Sequence, residues 1–220
     1  MPRERIDFFR ESNSKPKEKI VVLAYEGNNT EAIYFETLKE NARFNDDLIY
    51  LVSLRRPRND TNSAPVHVFN KLKKEAKDEY NFDDTDELWM IIDRDSWSNI
   101  PVISELCKAE GNFYLALSNP CFEFWILLHI KDLNDFTQEE LNDILTNAKV
   151  SSKKTYLKRL LGTLIEDGYN ESNPKPNRFI PYIDVAIERA KSIDNPAEDF
   201  PTALGSHVYK LVEKIIKDIT

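Results

Sequence analysis

The chain has 220 residues, 41% of them hydrophobic, and a formal net charge of −8 at pH 7. This apolar content can fill the core of one sizeable domain, so the composition is not that of a disordered protein. The negative charge excludes a protein that coats DNA through a broad basic surface, although a local basic cluster beside a metal ion remains compatible with phosphate binding. Two cysteines without metal-type spacing, and no apolar signal segment or membrane-length run, predict a cytoplasmic protein.

Apolar stretches and helical patterns alternate along the first part of the chain, after a charged and polar segment, 1–18, that predicts a flexible N-terminal arm. The apolar stretches that predict buried strands are 20–25, 48–54, 88–93 and 113–118. The helical patterns that follow them cover about 30–43, 63–80, 101–110 and 120–129. This alternation predicts an α/β fold with a four-stranded parallel sheet, right-handed crossovers and flanking helices.

Three carboxylates follow predicted strands. Glu26 ends the first strand beside Gly27, and Asp93 and Asp95 end the third. The carboxyl ends of parallel strands share one edge of a sheet, where open α/β sheets bind ligands, so we expect these acids to lie close together. In extended backbone Asp93 and Asp95 point the same way, and a divalent cation would relieve their repulsion. Oxygen ligands indicate Mg²⁺ or Mn²⁺, whereas an Asp that only caps the next helix is the alternative.

A fourth acid stands at the start of a strongly apolar helix. Pro120 suits the first position of this helix and Asn119 suits its N-cap. Glu123, in the first turn, follows the fourth strand near the same edge of the sheet and is a further candidate metal ligand. A capping-box contact with Asn119 is the alternative. We interpret His129, about two turns later, as structural.

Two basic groups are candidates for contacts with a nucleic-acid backbone. The candidate residues are Arg55, Arg56, Arg58, Lys153, Lys154 and Lys158. The arginines follow the second strand, at the edge of the sheet predicted to carry the acids. The lysines stand at the start of a predicted helix, where the helix dipole disfavours cations, so a phosphate backbone is a natural partner. A solvated run of charges is the alternative for both groups.

The rest of the chain shows helical patterns and no strand signal. The predicted helices cover about 138–148, 151–167, 179–193 and 202–219. We therefore predict two parts: an α/β domain over 19–130, and an all-helical extension over 131–220 that packs on it.

Three blocks of this sequence together resemble the RloB-like family, whose members occur in restriction-modification and phage-defence loci. The blocks are E-G-x-x-T-E-x-x-Y-F from Glu26 to Phe35, D-x-D from Asp93 to Asp95, and N-P-C-F-E-F-W-x-L-L-H from Asn119 to His129. The third block is the most specific. Similar elements continue at 153–158, 186–190 and 201–215, so the resemblance covers most of residues 19–217.

The RloB-like family in turn resembles Toprim domains, the catalytic modules of topoisomerases, primases and OLD-type nucleases. This implies a Toprim-like domain in which Glu26, Asp93 and Asp95 are catalytic and hold Mg²⁺ or Mn²⁺, with Glu123 as an additional ligand. It also implies metal-dependent cleavage of DNA or RNA in an antiviral defence system, with an AAA-type ATPase as partner subunit. Arg94 stands inside the D-x-D motif, where it either contacts a phosphate or faces away.

Two other functions fit parts of the pattern. An apolar strand that ends in D-x-D also begins haloacid-dehalogenase-type phosphatases. Their motif, however, has Thr or Val where this chain has Trp97, and it lies on the first strand. A non-catalytic sensing or adaptor subunit of a defence complex would keep the acids as helix caps. A divalent ion between Asp93 and Asp95 would distinguish the nuclease from the adaptor.

Overall fold

The computed structural model describes residues 19–27, 29–55, 64–79, 85–94, 97–152 and 154–217, so the predicted N-terminal arm lies outside the described residues. The strands are β1 (Lys19–Tyr25), β2 (Ile49–Leu54), β3 (Glu87–Asp93), β4 (Phe113–Asn119) and β5 (Gly205–Ser206). The described α-helices are α1 (Thr30–Lys39), α2 (Pro65–Glu79), α3 (Ile100–Glu110), α4 (Phe122–Ile130), α5 (Gln138–Thr146), α6 (Tyr156–Leu164), α7 (Ile183–Ile193) and α8 (Val208–Ile215). Short 3₁₀ helices cover Leu133–Asp135, Pro176–Arg178 and Ile180–Tyr182. Among the described helices, none is long and apolar enough to cross a bilayer.

The strands form one sheet in the order β2-β1-β3-β4-β5. The first four are parallel, and β5 runs antiparallel to β4. The predicted α/β class, the parallel sheet and the C-terminal helices are thus confirmed. Because β1 and β3 are neighbours, their carboxyl ends meet. The main-chain N–H of Glu26 donates to the carbonyl of Ile91 at 3.0 Å, which fixes Glu26 beside the end of β3.

Alternate residues of each strand pack on opposite faces of the sheet. On one face, side chains such as Leu23 and Ile91 join an apolar core with α1, α4, α6, α7 and α8. On the other face, side chains such as Val22 and Met90 pack with α2 and α3. Strands that are covered on both faces are apolar in both registers, which is why they stand out in the sequence as uninterrupted apolar runs.

The C-terminal part differs from the prediction because it adds the short strand β5, and the helix expected from residue 202 begins only at Val208. A strand of two residues is too short to show the alternation by which strands are recognised. It is held by Leu117, whose carbonyl accepts the N–H of His207 at 2.8 Å, and by a 2.8 Å hydrogen bond between the hydroxyls of Ser118 and Ser206.

The start of α4 also differs from the prediction. Asn119 is the last residue of β4, and Cys121 occupies the N-cap position, so the roles expected for Asn119 and Pro120 are wrong. The physical reason is that the Asn119 side chain donates to the carbonyl of Ala203 at 2.8 Å, in the segment that leads into β5. The capping-box alternative for Glu123 therefore does not apply.

The orientation of α3 corrects a smaller expectation. The apolar spacing in 101–110 predicts that Val102, Ile103, Leu106 and Cys107 face inward, but Val102 is 61% exposed and Leu106 is 38% exposed. Ile103 and Cys107 are buried as expected. The helix contacts the sheet along a narrow stripe on one side, so its apolar residues outside that stripe remain at the surface.

Candidate active site

A cavity of about 260 Å³ lies at the carboxyl edge of the sheet, next to the first turns of α1 and α4. Among the residues that the structure describes, the charged ones that line it are Glu31, Asp93, Glu123, Glu171 and Lys158. Four carboxylates and one ammonium group therefore share a small space. Such an excess of negative charge favours either protonation of the acids or the binding of a cation.

Asp93 lies at the end of β3 and connects this strand to α4. Its Oδ1 atom accepts the main-chain N–H of Phe122 at 2.8 Å, so it satisfies one of the free N–H groups at the start of α4 from outside the helix. Burial raises the pKa of Asp93 well above its usual range, and the charges of Glu31, Glu123 and Glu26 raise it further. Asp93 thus ends β3 at the carboxyl edge of the sheet, which is the place that the sequence predicted for it.

Glu31 is the acid whose importance the sequence pattern did not show. It is 6% exposed, and burial, together with the charges of Glu123 and Glu26, raises its pKa to about 7. The N–H of Gly27 donates to its Oε1 atom at 3.2 Å. A Cβ atom on Gly27 would lie 2.4 Å from both carboxylate oxygens of Glu31, so only glycine leaves room for this contact. From its place in the first turn of α1, the sequence predicts for Glu31 only a favourable interaction with the helix dipole.

Glu123 lies in the first turn of α4, is 5% exposed and accepts a hydrogen bond from the hydroxyl of Tyr169 at 3.1 Å. One ligand atom from each of Asp93, Cys121 and Glu123 lies within 4.8 Å of the others. Burial, with the neighbouring acids, raises the pKa of the Cys121 thiol well above its usual range, so this thiol is a poor ligand at neutral pH.

The donor set fits a hard divalent cation. The carboxylates of Asp93 and Glu123 each provide an oxygen atom within 4.8 Å of the other, and the charge of Glu31 raises the pKa of Asp93. Oxygen-rich sites of this kind suit Mg²⁺ or Mn²⁺ better than a thiol-selecting metal. Asp95, the second acid of the D-x-D motif, lies outside the described residues.

Glu26 lies beside Asp93 but is not among the residues that line the cavity. Its Oε2 atom accepts the main-chain N–H of Asp93 at 3.0 Å, and its Oε1 atom accepts the indole N–H of Trp97 at 2.9 Å. Glu26 therefore holds the end of β3 and the chain that follows it. The structure brings Glu26 and Asp93 together, as their strand ends predicted, but Glu26 contacts the main chain of Asp93 and does not line the cavity.

The predicted basic residues are distributed unevenly. Lys158 lines the cavity, forms an ion pair with Glu171 and lies 3.8 Å from Glu123. Arg55 instead pairs with Glu36 on α1, with an Nε–Oε1 distance of 2.7 Å. Lys154 is exposed just before α6. Arg56, Arg58 and Lys153 lie outside the described residues.

Arg94 and His129 both have partners inside the protein. An Nη1 atom of Arg94 donates to the carbonyl of Trp97 at 2.6 Å, so part of this side chain faces the loop after β3. His129 is buried, its ring contacts the Tyr34 hydroxyl at 3.1 Å and the Trp125 carbonyl at 2.9 Å, and burial lowers its pKa to about 4. These contacts agree with the structural role expected for His129.

Two residues of the site carried no signal in the sequence. Tyr169 and Glu171 lie in the segment that follows α6. Glu171 lines the cavity, and Tyr169 contacts the cavity residue Glu123, in both cases only through tertiary packing. The hydroxyl of Thr30, at the start of α1, donates to the main-chain carbonyl of Glu171 at 3.0 Å, which ties this segment to the first turn of α1. No local periodicity or spacing indicates such a contact.

Together these features define an α/β protein with a cluster of carboxylates at the carboxyl edge of a parallel sheet. A family model described as RloB-like protein matches residues 21–215. The chain therefore belongs to the RloB-like protein family, as the resemblance in its sequence implied. Comparison with curated proteins and with solved structures gives no match.

Proposed function

We propose that this protein is a Mg²⁺- or Mn²⁺-dependent nuclease that hydrolyses phosphodiester bonds in DNA or RNA. The observation that carries the proposal is the convergence of Glu31, Asp93 and Glu123, from three different elements, on one cavity that also holds Lys158. The Toprim-like character implied by the family resemblance supports the same function.

Asp93 and Glu123 would hold the ion, with Glu31 and Asp95 as further ligands. The bound ion would polarise a phosphoryl oxygen and stabilise the negative charge that develops on it. Lys158 would hold a phosphate at the rim of the cavity, where its ammonium group acts as a point charge. We assign Glu26 the role of holding Asp93 in place, because both of its oxygens accept N–H groups, rather than the catalytic, metal-holding role that the resemblance implied.

The biological setting belongs to the same proposal. Membership of the RloB-like family, together with the resemblance described above, supports a role as the effector of an antiviral defence system that works with an AAA-type ATPase. Nucleic acid is the substrate class because a phosphate backbone suits both the proposed metal site and the lysines near the start of α6.

The experiment is a cleavage assay on labelled single-stranded DNA, duplex DNA and RNA, with Mg²⁺, Mn²⁺ or EDTA. Glu123→Gln keeps the size of the side chain and removes its charge, and it should lower the metal-dependent rate by at least about 100-fold. Glu105→Gln, on the exposed surface of α3, is the matched control and should leave the rate unchanged.

The other outcomes separate the competing functions. Hydrolysis of p-nitrophenyl phosphate without cleavage of any nucleic acid would replace the nuclease by a phosphatase. A protein that cleaves nothing and whose melting temperature ignores millimolar Mn²⁺ would favour the sensing or adaptor subunit.

A further inference from the structure

Glu123 is a buried carboxylate, and a buried carboxylate needs a hydrogen-bond donor or a cation as partner. It belongs to the first turn of α4, a helix whose residues from Phe122 to His129 are all buried. A buried carboxylate that lacks hydrogen-bond donors is unstable, and its orientation is not fixed by packing alone. The hydroxyl of Tyr169, which lies 46 residues further along the chain, donates to its Oε1 atom at 3.1 Å.

The donors around Tyr169 can be assigned by counting protons. Thr30 has one hydroxyl proton, and it donates to the carbonyl of Glu171 at 3.0 Å, because a carbonyl can only accept. The hydroxyl oxygens of Thr30 and Tyr169 are 3.4 Å apart, and the carboxylate of Glu123 is the stronger acceptor for the proton of Tyr169. This proton is therefore committed to Glu123. A tyrosine hydroxyl keeps its proton at neutral pH, so it is available as a donor.

The side chain of Tyr169 is itself held in place. It is 8% exposed, and the segment that carries it is tied to the first turn of α1 by the contact between Thr30 and Glu171. Carboxylates that bind a metal through one oxygen commonly have the other oxygen held by a hydrogen-bond donor. Tyr169 stands in that relation to Glu123.

We propose that Tyr169 is a positioning residue of the metal site, whose hydroxyl orients Glu123 so that its carboxylate and that of Asp93 meet at the same ion. This inference rests on the proposed function. The proposal gives the segment after α6 a role in metal binding, because this segment carries Tyr169. The segment lies outside the three blocks that carry the family resemblance.

The test is a Mn²⁺ titration of Tyr169→Phe, which removes one oxygen atom and keeps the ring that fills the space. Mn²⁺ affinity, measured by calorimetry, should fall roughly 10- to 100-fold. Tyr182→Phe is the matched control, because Tyr182 is 55% exposed, and its Mn²⁺ affinity should equal that of the wild type. Melting curves without metal establish a temperature at which every variant is folded, and the titrations are made there.

Each outcome is decisive. A selective loss of Mn²⁺ affinity in Tyr169→Phe supports the positioning role, since a purely structural role would change the melting temperature and leave the affinity of the folded protein intact. If the wild type binds Mn²⁺ and Tyr169→Phe binds it equally well, the inference is wrong and the proposed function stands. If the wild type binds neither Mn²⁺ nor Mg²⁺, the proposed function fails, and the inference fails with it.

Discussion

The two faces of the sheet differ in where their charged side chains lie and in how these are paired. The face covered by α2 and α3 keeps its acids at the surface beside cations: Glu110 pairs with Lys73, and Glu105 pairs with Lys108. The face covered by α1, α4 and the C-terminal helices supplies Glu31, Glu123 and Lys158 to the cavity. There, in the described part of the chain, four acids line the cavity with one lysine.

This difference separates a structural face from a functional one. Paired surface charges change stability by at most about 1 kcal/mol, so the α2–α3 face is stabilised mainly by its apolar contacts. Buried carboxylates that lack enough cations are unfavourable in the metal-free protein, and a bound divalent ion would remove that penalty. Substitutions on the cavity face should therefore alter metal binding, whereas substitutions on the α2–α3 face should leave metal binding unchanged.

The largest effect is expected from Asp93→Asn. Asparagine keeps the Oδ1 acceptor for the N–H of Phe122 and removes only the charge. Mn²⁺ affinity should fall by at least about 100-fold, because one full ligand charge is lost. The metal-free melting temperature should rise slightly, since a repelling anion disappears. Melting curves with and without Mn²⁺ measure both effects.

The control for this prediction lies on the other face. Glu105→Gln removes an acid of the same charge from the exposed surface of α3 and should change neither the metal-free melting temperature nor the shift caused by Mn²⁺. A normal Mn²⁺ shift in Asp93→Asn would contradict the metal site.

A smaller effect is expected from a pair of glycine substitutions. Gly27→Ala places a methyl group 2.4 Å from the oxygens of Glu31, and the flexible end of that side chain must move away. Mn²⁺ affinity should fall about 10-fold with little loss of stability. Gly111→Ala, at the end of α3, meets no atom within 4 Å but has a φ of +82°. It should cost about 1 kcal/mol of stability and leave Mn²⁺ affinity unchanged.

These two glycines are compared by calorimetric titration and by denaturant unfolding of the same preparations. Equal losses of metal affinity in both variants would show that general destabilisation, and not displacement of Glu31, weakens the site.

Much of the fold could be predicted from the sequence because its strands are covered on both faces. Continuous apolar runs located β1, β2, β3 and β4 to within a residue or so. β5 could not be predicted, because its two residues form a strand only where β4 offers them a partner. The exposure of Val102 could not be predicted, because an amphipathic pattern does not indicate how much of the apolar face of a helix the sheet covers.

The places of the candidate site residues could be predicted from the sequence where they lie at strand ends, and could not be predicted where they depend on tertiary packing. Asp93 ends β3 and Glu123 lies in the first turn of the helix that follows β4, so topology alone brings them to the same edge of the sheet. Tyr169 reaches Glu123 only through the path of the chain after α6, which no local pattern encodes. Arg55 was expected to be available for phosphate, but its partner Glu36 comes from a helix that precedes β2.

The pH dependence gives a third prediction. The pKa of Glu31 is raised from 4.5 to about 7, and that of Asp93 is raised as well, so the folded protein binds these protons more tightly than the unfolded chain does. Their contribution to metal-free stability is complete below the unfolded pKa and is lost as the pH rises through the folded pKa. Mn²⁺ competes with the same protons, so its affinity should rise about 10-fold per pH unit below pH 7.

Glu31→Gln tests the origin of this dependence. Without the titrating carboxyl group, the rise of Mn²⁺ affinity with pH should become shallower, whereas Glu105→Gln, on the other face, should keep the slope of the wild type. A wild-type affinity that is flat between about pH 5.5 and pH 7 would contradict the burial and mutual repulsion of these acids.

The smallest effect concerns the lysines near the start of α6. Lys158 pairs with Glu171 at the rim of the cavity, and Lys154 is exposed nearby. If each contacts one phosphate of a single strand, replacement by Gln should lower the slope of log affinity against log salt by about 0.7. Glu171→Gln should act in the opposite direction and strengthen binding about 3-fold, because the internal carboxylate no longer competes with phosphate for Lys158.

Fluorescence polarisation with a labelled oligonucleotide measures these slopes, in EDTA so that cleavage does not interfere. Lys108→Gln on α3 is the matched control: Lys108 is an exposed lysine that pairs with Asp199 and Glu105, on the face that should not meet nucleic acid. A slope that changes only with Lys154 and Lys158 places the phosphate backbone on the cavity side of the sheet. An equal change with Lys108 would mean that nucleic acid contacts any accessible lysine, and the two faces would then no longer differ in function.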